Sequence, residues 1–351
     1  MKNALITTLC TWASYGSVLQ SYALKKQLEK LECDSFTVTD YKERETAGRL
    51  FSKNPKIFIK NLYGSLNASK RHRRFIKSSE FISSNLDVRR YDSYEDIKKL
   101  NIDADICIAG SDQIFNPDVC SPVFFLDFCP AKKRVSYAAS MGVTAVKKEK
   151  EEEFARLVNN FDRISVREAD NAEVIKKYYN GKIDINIDPT FFLSAEEWRK
   201  LEKKYDIKGK YIFVYPLYWN KKYNPLLKKL KKETGYEIVT IKNGWSSTYG
   251  SKTVSDAGIE EFLWLIDHAE AVVTSSFHGV AISSILNKDF SAVINPSSPS
   301  RISSLLQTLG ITPPSIEELS RSHIDYEAVN KKIEEEKEKG IGYLKEILTD
   351  E

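Results

Sequence analysis

Ala4-Leu5-Ile6-Thr7-Thr8-Leu9 is a short apolar run, and it reads as a buried strand. Val18 to Leu31 follows with Leu19, Tyr22, Ala23, Leu28 and Leu31 near one face, the spacing of a helix. Ser35-Phe36-Thr37-Val38-Thr39-Asp40-Tyr41 is the next strand. Strand, helix and strand in this order form a βαβ unit, and such units build parallel sheets. The alternation resumes with strands at Ala104–Gly110, Arg134–Ala139, Arg163–Arg167 and Ile183–Ile187, with helices at Lys148–Phe161 and Ala169–Tyr179. A second series follows Lys210. Its strands are Tyr211–Tyr215, Tyr236–Ile241, Ala271–Thr274 and Ser291–Ile294; its helices are Pro225–Thr234, Ile259–His268, Gly279–Leu286 and Ile302–Leu309.

The expected architecture is α/β, with two Rossmann-like, doubly wound domains facing a cleft. Residues 1–195 form the first and residues 196–324 the second. Residues 325–351 form a charged tail helix, interrupted at Gly340 and Gly342, that packs back on the first domain. Residues 48–85 break the rhythm as a basic, aromatic excursion of helices, densest at Lys70-Arg71-His72-Arg73-Arg74. A solvated helical face is the plain reading of that run. Docking to a membrane surface or an anionic acceptor is the alternative.

The 351 residues are 42% hydrophobic, enough for two packed cores and against disorder. Fifty-three Lys+Arg against 49 Asp+Glu leaves +4, too mild to argue for a nucleic-acid partner. Five cysteines (Cys10, Cys33, Cys107, Cys120 and Cys129) without a CxxC pair argue against a disulfide framework or a zinc site. Cys10 and Cys107 read as buried small hydrophobes, and the expected compartment is the reducing cytoplasm. No stretch reaches the roughly 18 apolar residues of a membrane span.

Ligands of open α/β sheets bind beyond the carboxyl ends of the strands, so the strand-end loops carry the candidates. After the first strand, Tyr15, Gly16 and Ser17 open a helix whose N-terminus can accept an anion; an ordinary turn fits equally. After Gly110, Asp112, Gln113 and Asn116 offer a base and amide groups, where a plain helix cap would leave Gln113 and Asn116 unexplained. Arg167 ends a strand, where it can meet a carboxylate or phosphate, or simply pair with Glu168. Thr274-Ser275-Ser276-Phe277-His278-Gly279 combines hydroxyls, helix amides and the one histidine of four in a pocket context. His278 is therefore the candidate general acid or base. Arg301 opens a helix and is either an anion contact or a surface arginine.

Together these loops resemble the polysaccharide pyruvyl transferase family. The motifs are Tyr15–Leu24, Gly110–Pro117, Tyr137–Gly142, Ser165–Glu168, Asp188–Thr190 and Thr274–Gly279, in order along nearly the whole chain. The resemblance implies a GT-B-like pair of domains, phosphoenolpyruvate as donor and a sugar as acceptor, lipid-linked or nucleotide-linked. The product is a pyruvate ketal on a cell-surface polysaccharide precursor, and phosphate is released. The family's histidine falls on His278 and its strand-end arginine on Arg167. Better-known members carry an arginine where this chain has Ser276, so the donor is held by another cation, Arg167 or Arg301, or differently.

The expected assignment is His278 and Asp112 as acid and base. Arg167, Arg301, Ser275, Ser276 and Gly279 hold the donor; Tyr15, Gly16, Ser17, Gln113 and Asn116 hold the acceptor. No metal and no cofactor beyond the co-substrate phosphoenolpyruvate is expected. The work is cytoplasmic, at the inner face of the membrane if the basic stretch docks there. The rival readings are a GT-B glycosyltransferase using a nucleotide sugar and a non-catalytic sugar-binding relative.

Overall fold

The computed structural model describes residues 2–39, 55–91 (side chains from 69), 93–100, 102, 104–118, 122–129, 133–241, 248–296 and 300–349. The expected strand end at Asp40–Tyr41, the start of the 48–85 excursion and Cys120 lie outside these residues.

The first half contains β1 (Lys2–Thr7), α1 (Tyr15–Lys30), β2 (Cys33–Thr39), α2 (Pro55–Asn85), β3 (Val88–Arg90), α3 (Tyr94–Lys98), β4 (Ile106–Ala109) and β5 (Lys133–Ser136). It continues with α4 (Glu151–Val158), β6 (Ile164–Val166), α5 (Ala169–Ile175), β7 (Ile183–Ile185) and α6 (Ala195–Arg199). The second half contains β8 (Tyr211–Tyr215), α7 (Asn224–Thr234), β9 (Glu237–Ile241), β10 (Lys252–Val254), α8 (Ile259–Asp267), β11 (Ala271–Thr274), α9 (Phe277–Ile285), β12 (Phe290–Ala292) and α10 (Ser300–Leu309). The helix α11 (Tyr326–Thr349) follows.

Each half has a five-stranded parallel sheet, in the order β3-β2-β1-β4-β5 and β10-β9-β8-β11-β12. The β6–β7 pair extends the first sheet through single bridges, Val135 to Arg163 and Ala139 to Val166. In each sheet the strand order reverses beside the first strand, between β1 and β4 and between β8 and β11. Ligand crevices of such sheets lie outside the carboxyl ends at this reversal. The fold therefore points to four loops before any side chain is considered.

The halves share one continuous apolar core. Tyr15, Val18, Leu19 and Tyr22 of α1 pack with Tyr211, Phe213 and Phe262 of the second half. Tyr15 is the pin of this interface: its ring stacks on Phe262 at 4.2 Å and its hydroxyl donates to the Ala257 carbonyl at 2.7 Å. In the basic run of α2, Lys70, Arg71, His72 and Arg73 are exposed, as a solvated face would be, and Arg74 is buried. Arg73 forks onto Asp256 at 3.1 and 3.2 Å, Lys77 reaches Glu261, and Arg74 donates to the Ala13 carbonyl at 2.8 Å while lying over the Tyr15 ring. These cations strap α2 across both halves; Arg74 is buried there, while Arg73 makes its ion pair at the surface. Among the described residues no helix is long and apolar enough to cross a membrane.

Two further expectations are corrected. Cys107 is buried but not a free thiol, because it forms a disulfide with Cys129. The tail helix is not interrupted at its glycines. Gly340 lies where α11 meets the first sheet, and a Cβ there would stand 2.4 Å from the Tyr137 hydroxyl and 3.2 Å from the Phe192 ring. It is a close-approach residue, not a breaker. Beyond it Tyr343, Leu344, Ile347 and Leu348 cover Ala4, Ile6, Ile108 and Val135.

In the segment after α6, Glu202 lies against Asp267 and His268, and the three offer ligand atoms within 4.8 Å of one another. Sequence spacing could not show this grouping. Asp267 is already forked by Arg199 at 3.0 and 3.1 Å. Burial, followed by the Asp267 charge, pushes the Glu202 carboxyl up to about 7.

This packing sets two expected outcomes. Gly340→Ala will destabilise the fold by about 1–3 kcal/mol, because overpacking outweighs the roughly 1 kcal/mol gained in helix propensity. Gly342→Ala, whose added Cβ would meet nothing within 4 Å, will gain up to about 1 kcal/mol; urea denaturation of both variants decides it, and equal effects would reject the close-approach role. For Glu202, the unfolded carboxyl ionises near 4.5 and the folded one near 7, so its contribution to stability is intact below about 4.5 and lost as pH rises to 7. Glu202→Gln will therefore match the wild type at pH 4 and exceed it by up to about 3 kcal/mol at pH 8. A pH-independent difference between the two in thermal melts would rule this out.

Candidate active site

The four loops at the two sheet reversals face one another across a cleft of about 260 Å³. Leu9 and Ser14 come from the loop after β1, Asp112 and Gln113 from that after β4, and Leu217 and Tyr218 from that after β8. Ser275 to His278 follow β11, and Asn295 and Arg301 close the remaining side. A smaller cavity of about 30 Å³ lies behind, sharing Phe277 and Arg301 with the cleft and adding Arg167 and Asp188.

His278 is carried by the first turn of α9, and the preceding hydroxyls set that turn. Ser276 is the N-cap, its Oγ accepting from the Gly279 N–H at 3.3 Å. Thr274 Oγ1 accepts from the Ser276 N–H at 3.0 Å and donates to the Tyr215 carbonyl at 2.9 Å. A Cβ on Gly279 would stand 2.3 Å from that oxygen, so only glycine lets the helix start here. Ser275 Oγ accepts from the Leu217 and Tyr218 N–H groups at 2.9 and 2.8 Å and donates to the Tyr218 carbonyl. These hydroxyls fix the loop, and Ser275 and Ser276, both expected on the donor, line the cleft. Arg301 lines the same cleft.

Behind the imidazole lies a buried carboxylate. Asp188, fully buried, accepts at Oδ2 from Arg167 Nη1 at 2.7 Å and from Ser111 Oγ at 2.9 Å. At Oδ1 it accepts from the Thr190 N–H at 3.0 Å and its hydroxyl at 2.8 Å. His278 Nε2 stands 3.6 Å from Oδ2, an ion-pair distance rather than a hydrogen bond. Burial alone would raise the Asp188 carboxyl, but His278, Arg167 and the Thr190 amide overcome it and hold it well below the usual carboxylate range. Asp188 thus supplies a fixed negative charge to the imidazole. In the sequence Asp188-Pro189-Thr190 reads only as a strand stop and a motif. The signal that could have found it is an acidic residue placed at a strand end.

Arg167 also donates from Nε to Glu168 at 3.1 Å, and Glu168 accepts from Ser140 Oγ at 3.0 Å. Burial lowers the Arg167 affinity for its proton, but Glu168 and Asp188 more than restore it. Arg301 has weaker support: Asp112 Oδ1 is 3.5 Å away, and burial and the Arg167 charge together push its guanidinium below the usual range. Arg167 Nη2, Arg301 Nε and His278 Nε2 are buried without a hydrogen-bond partner among the described residues. Buried donors are nearly always satisfied; His278 Nε2 faces the Asp188 carboxylate, and the two guanidinium donors together mark a place built for an anion.

Asp112 has φ 73° and ψ −172°, a backbone region that is essentially glycine's own. Its carbonyl accepts from the Ser140 N–H at 2.9 Å and its carboxylate from the Gln113 N–H at 2.9 Å, which hold it there. The remaining expected acceptor contacts do not line the cleft. Tyr15 and Ser17 are buried in packing and turn bonds, and Asn116 Oδ1 accepts from the Asp118 N–H at 2.9 Å. Gly16 acts indirectly: a Cβ there would stand 2.0 Å from His278 Nδ1, so its bare backbone seats the imidazole.

The strain at Asp112 can be measured. Asp112→Gly and Asp112→Ala both remove the carboxylate and its cap, but only glycine relaxes the backbone. The glycine variant will be more stable than the alanine variant by about 1–3 kcal/mol; equal denaturation midpoints would show that no strain is stored there.

The model of the polysaccharide pyruvyl transferase family matches residues 15–297. No curated protein matches the sequence. Among solved structures the chain is similar to the Methanocaldococcus jannaschii UDP-GlcNAc 2-epimerase in complex with UDP-GlcNAc and UDP, at 11% identity and a TM-score of 0.51, over 99% of both chains. It is also similar to AviGT4, a glycosyltransferase involved in avilamycin A biosynthesis, at 10% identity and a TM-score of 0.52, over 99% of this chain and 97% of that one. At these identities the likeness establishes a GT-B-type fold and leaves the chemistry to the family and the site. The match covers most of the chain, including the His278 motif, and the chain belongs to the polysaccharide pyruvyl transferase family.

Proposed function

We propose that the cleft transfers pyruvyl from phosphoenolpyruvate to two hydroxyls of a sugar in a polysaccharide precursor, releasing phosphate. The observation that carries this reading is the His278–Asp188 pair set beside two arginines, Arg167 buried and Arg301 partly so, each with an unpartnered donor. His278, protonated and backed by Asp188, gives its proton to the methylene carbon of the donor, leaving an oxocarbenium-like centre at C2. The first sugar hydroxyl attacks C2 and its proton passes to Asp112. The second hydroxyl forms the second C2–O bond as the C2–O bond to phosphate breaks. Phosphate leaves with that bonding pair and takes up the second hydroxyl's proton. The proton on Asp112 returns through solvent to His278, so atoms and charge balance.

Arg301 and Arg167 bind the carboxylate and phosphate of the donor, and both stay in place as charge shifts onto the leaving group. No oxidation state changes overall, so the co-substrate suffices and a redox cofactor has no step to perform. Asp112 and Gln113 face the acceptor. In this reading the protein works in the cytoplasm.

Calorimetric titration of phosphoenolpyruvate, beside UDP and UDP-GlcNAc, tests it. Saturable phosphoenolpyruvate binding is expected, weakened roughly 10- to 100-fold in Arg301→Ala through the loss of charged hydrogen bonds. His278→Ala will lower phosphate release by about 10²–10⁴-fold. Binding of UDP or UDP-GlcNAc without phosphoenolpyruvate would replace this reading with glycosyl transfer.

A further inference from the structure

Phe277 sits between the cap Ser276 and His278, 3% exposed, and neither the sequence pattern nor the mechanism above gives it a task. Its ring is the shared neighbour of the three cationic groups of the site. The Arg167 guanidinium carbon is 3.7 Å from the ring centroid and that of Arg301 is 5.8 Å away. The His278 ring meets it edge-on at 5.2 Å and 81°.

The buried Arg167 guanidinium and the partly buried Arg301 guanidinium repel one another. Carboxylates relieve this by neutralising the charge, but each carboxylate oxygen also occupies a donor that an incoming anion needs. An aromatic face attracts a cation through its quadrupole and leaves the in-plane N–H donors free. Arg301 shows the need most clearly, since its one ion pair among the described residues is the distant contact to Asp112, at 3.5 Å. Arg167 Nη2 and Arg301 Nε do stay unpartnered.

We infer that Phe277 is a positioning residue that holds Arg167 and Arg301 beside His278 by cation–π attraction, so that their free donors meet the donor anion together. This rests on the reading that the cleft binds an anionic donor. It adds a requirement for an electron-rich ring at position 277, which the bare anion site does not carry.

The test replaces Phe277 with 4-fluoro-, 3,5-difluoro- and pentafluorophenylalanine, which drain the ring face stepwise with little change of shape, and with Phe277→Leu. Dissociation constants for inorganic phosphate and for phosphoenolpyruvate are measured by calorimetry on the full chain, with melting temperatures in parallel. Affinity for both is expected to fall with each step, by roughly tenfold at the pentafluoro ring, while melting temperatures stay level. Unchanged affinity across the fluorinated series overturns the inference even if Phe277→Leu binds poorly, because shape alone would then explain the leucine variant. Affinity loss that merely follows a falling melting temperature overturns it too. Wild-type binding of phosphate without phosphoenolpyruvate removes the donor assignment, and the phosphate series still decides the role of the ring. Binding of neither overturns both.

Discussion

A carboxylate sealed from water must be matched almost completely, and Asp188 is such a group. It accepts from the loop after β4 through Ser111, from the end of β6 through Arg167 and from its own turn through Thr190. Its remaining charge faces His278 on the second half. Removing a partner from a buried ion pair costs about 3–5 kcal/mol because the charge left behind has no water to turn to. The first half supplies every hydrogen bond to this charge, and the second half sets His278 against it. Arg167, Glu168, Ser140 and the seat of the imidazole on Gly16 all follow from keeping that charge matched.

The alternating architecture was legible because the central strands are buried on both faces and read as plain apolar runs. Tyr211–Tyr215 and Ala271–Thr274 have the same bounds in sequence and structure. The strands that escaped were Val88–Arg90 and Lys252–Val254, at the sheet edges. Edge strands are short and charged for protection against pairing, and that removes the pattern by which strands are recognised. Gly340 misled for a related reason. A glycine that lets two elements touch looks, in one dimension, like a glycine that stops a helix.

The site was legible as a set of loops but not as a set of contacts. Asp112, Gln113, His278 and Arg301 do converge on the cleft. Tyr15 and Ser17 share a motif with it but spend themselves on packing and turn geometry. Motif position says which loop a residue is on, not which way its side chain turns. Asp188 and Phe277 were hidden for the opposite reason. Their importance lies in partners 77 and 110 residues away, Ser111 and Arg167 respectively, that no local spacing reveals. For Phe277 the sequence separation is simply 277 minus 167.

The helix α11 has a bearing on how the molecule is made. Its final turns lie on Ala4, Ile6, Leu24 and Val135, residues of the first sheet and its first helix. Its earlier turns, through Val329 and Ile333, join the core shared by both halves. On the ribosome the five strands β1 to β5 are complete more than 200 residues before their cover, since β5 ends at Ser136 and the covering residues begin at Tyr343. Through that interval a strip of aliphatic side chains has no native cover. Native closure of the first half is therefore delayed until synthesis has passed Leu348.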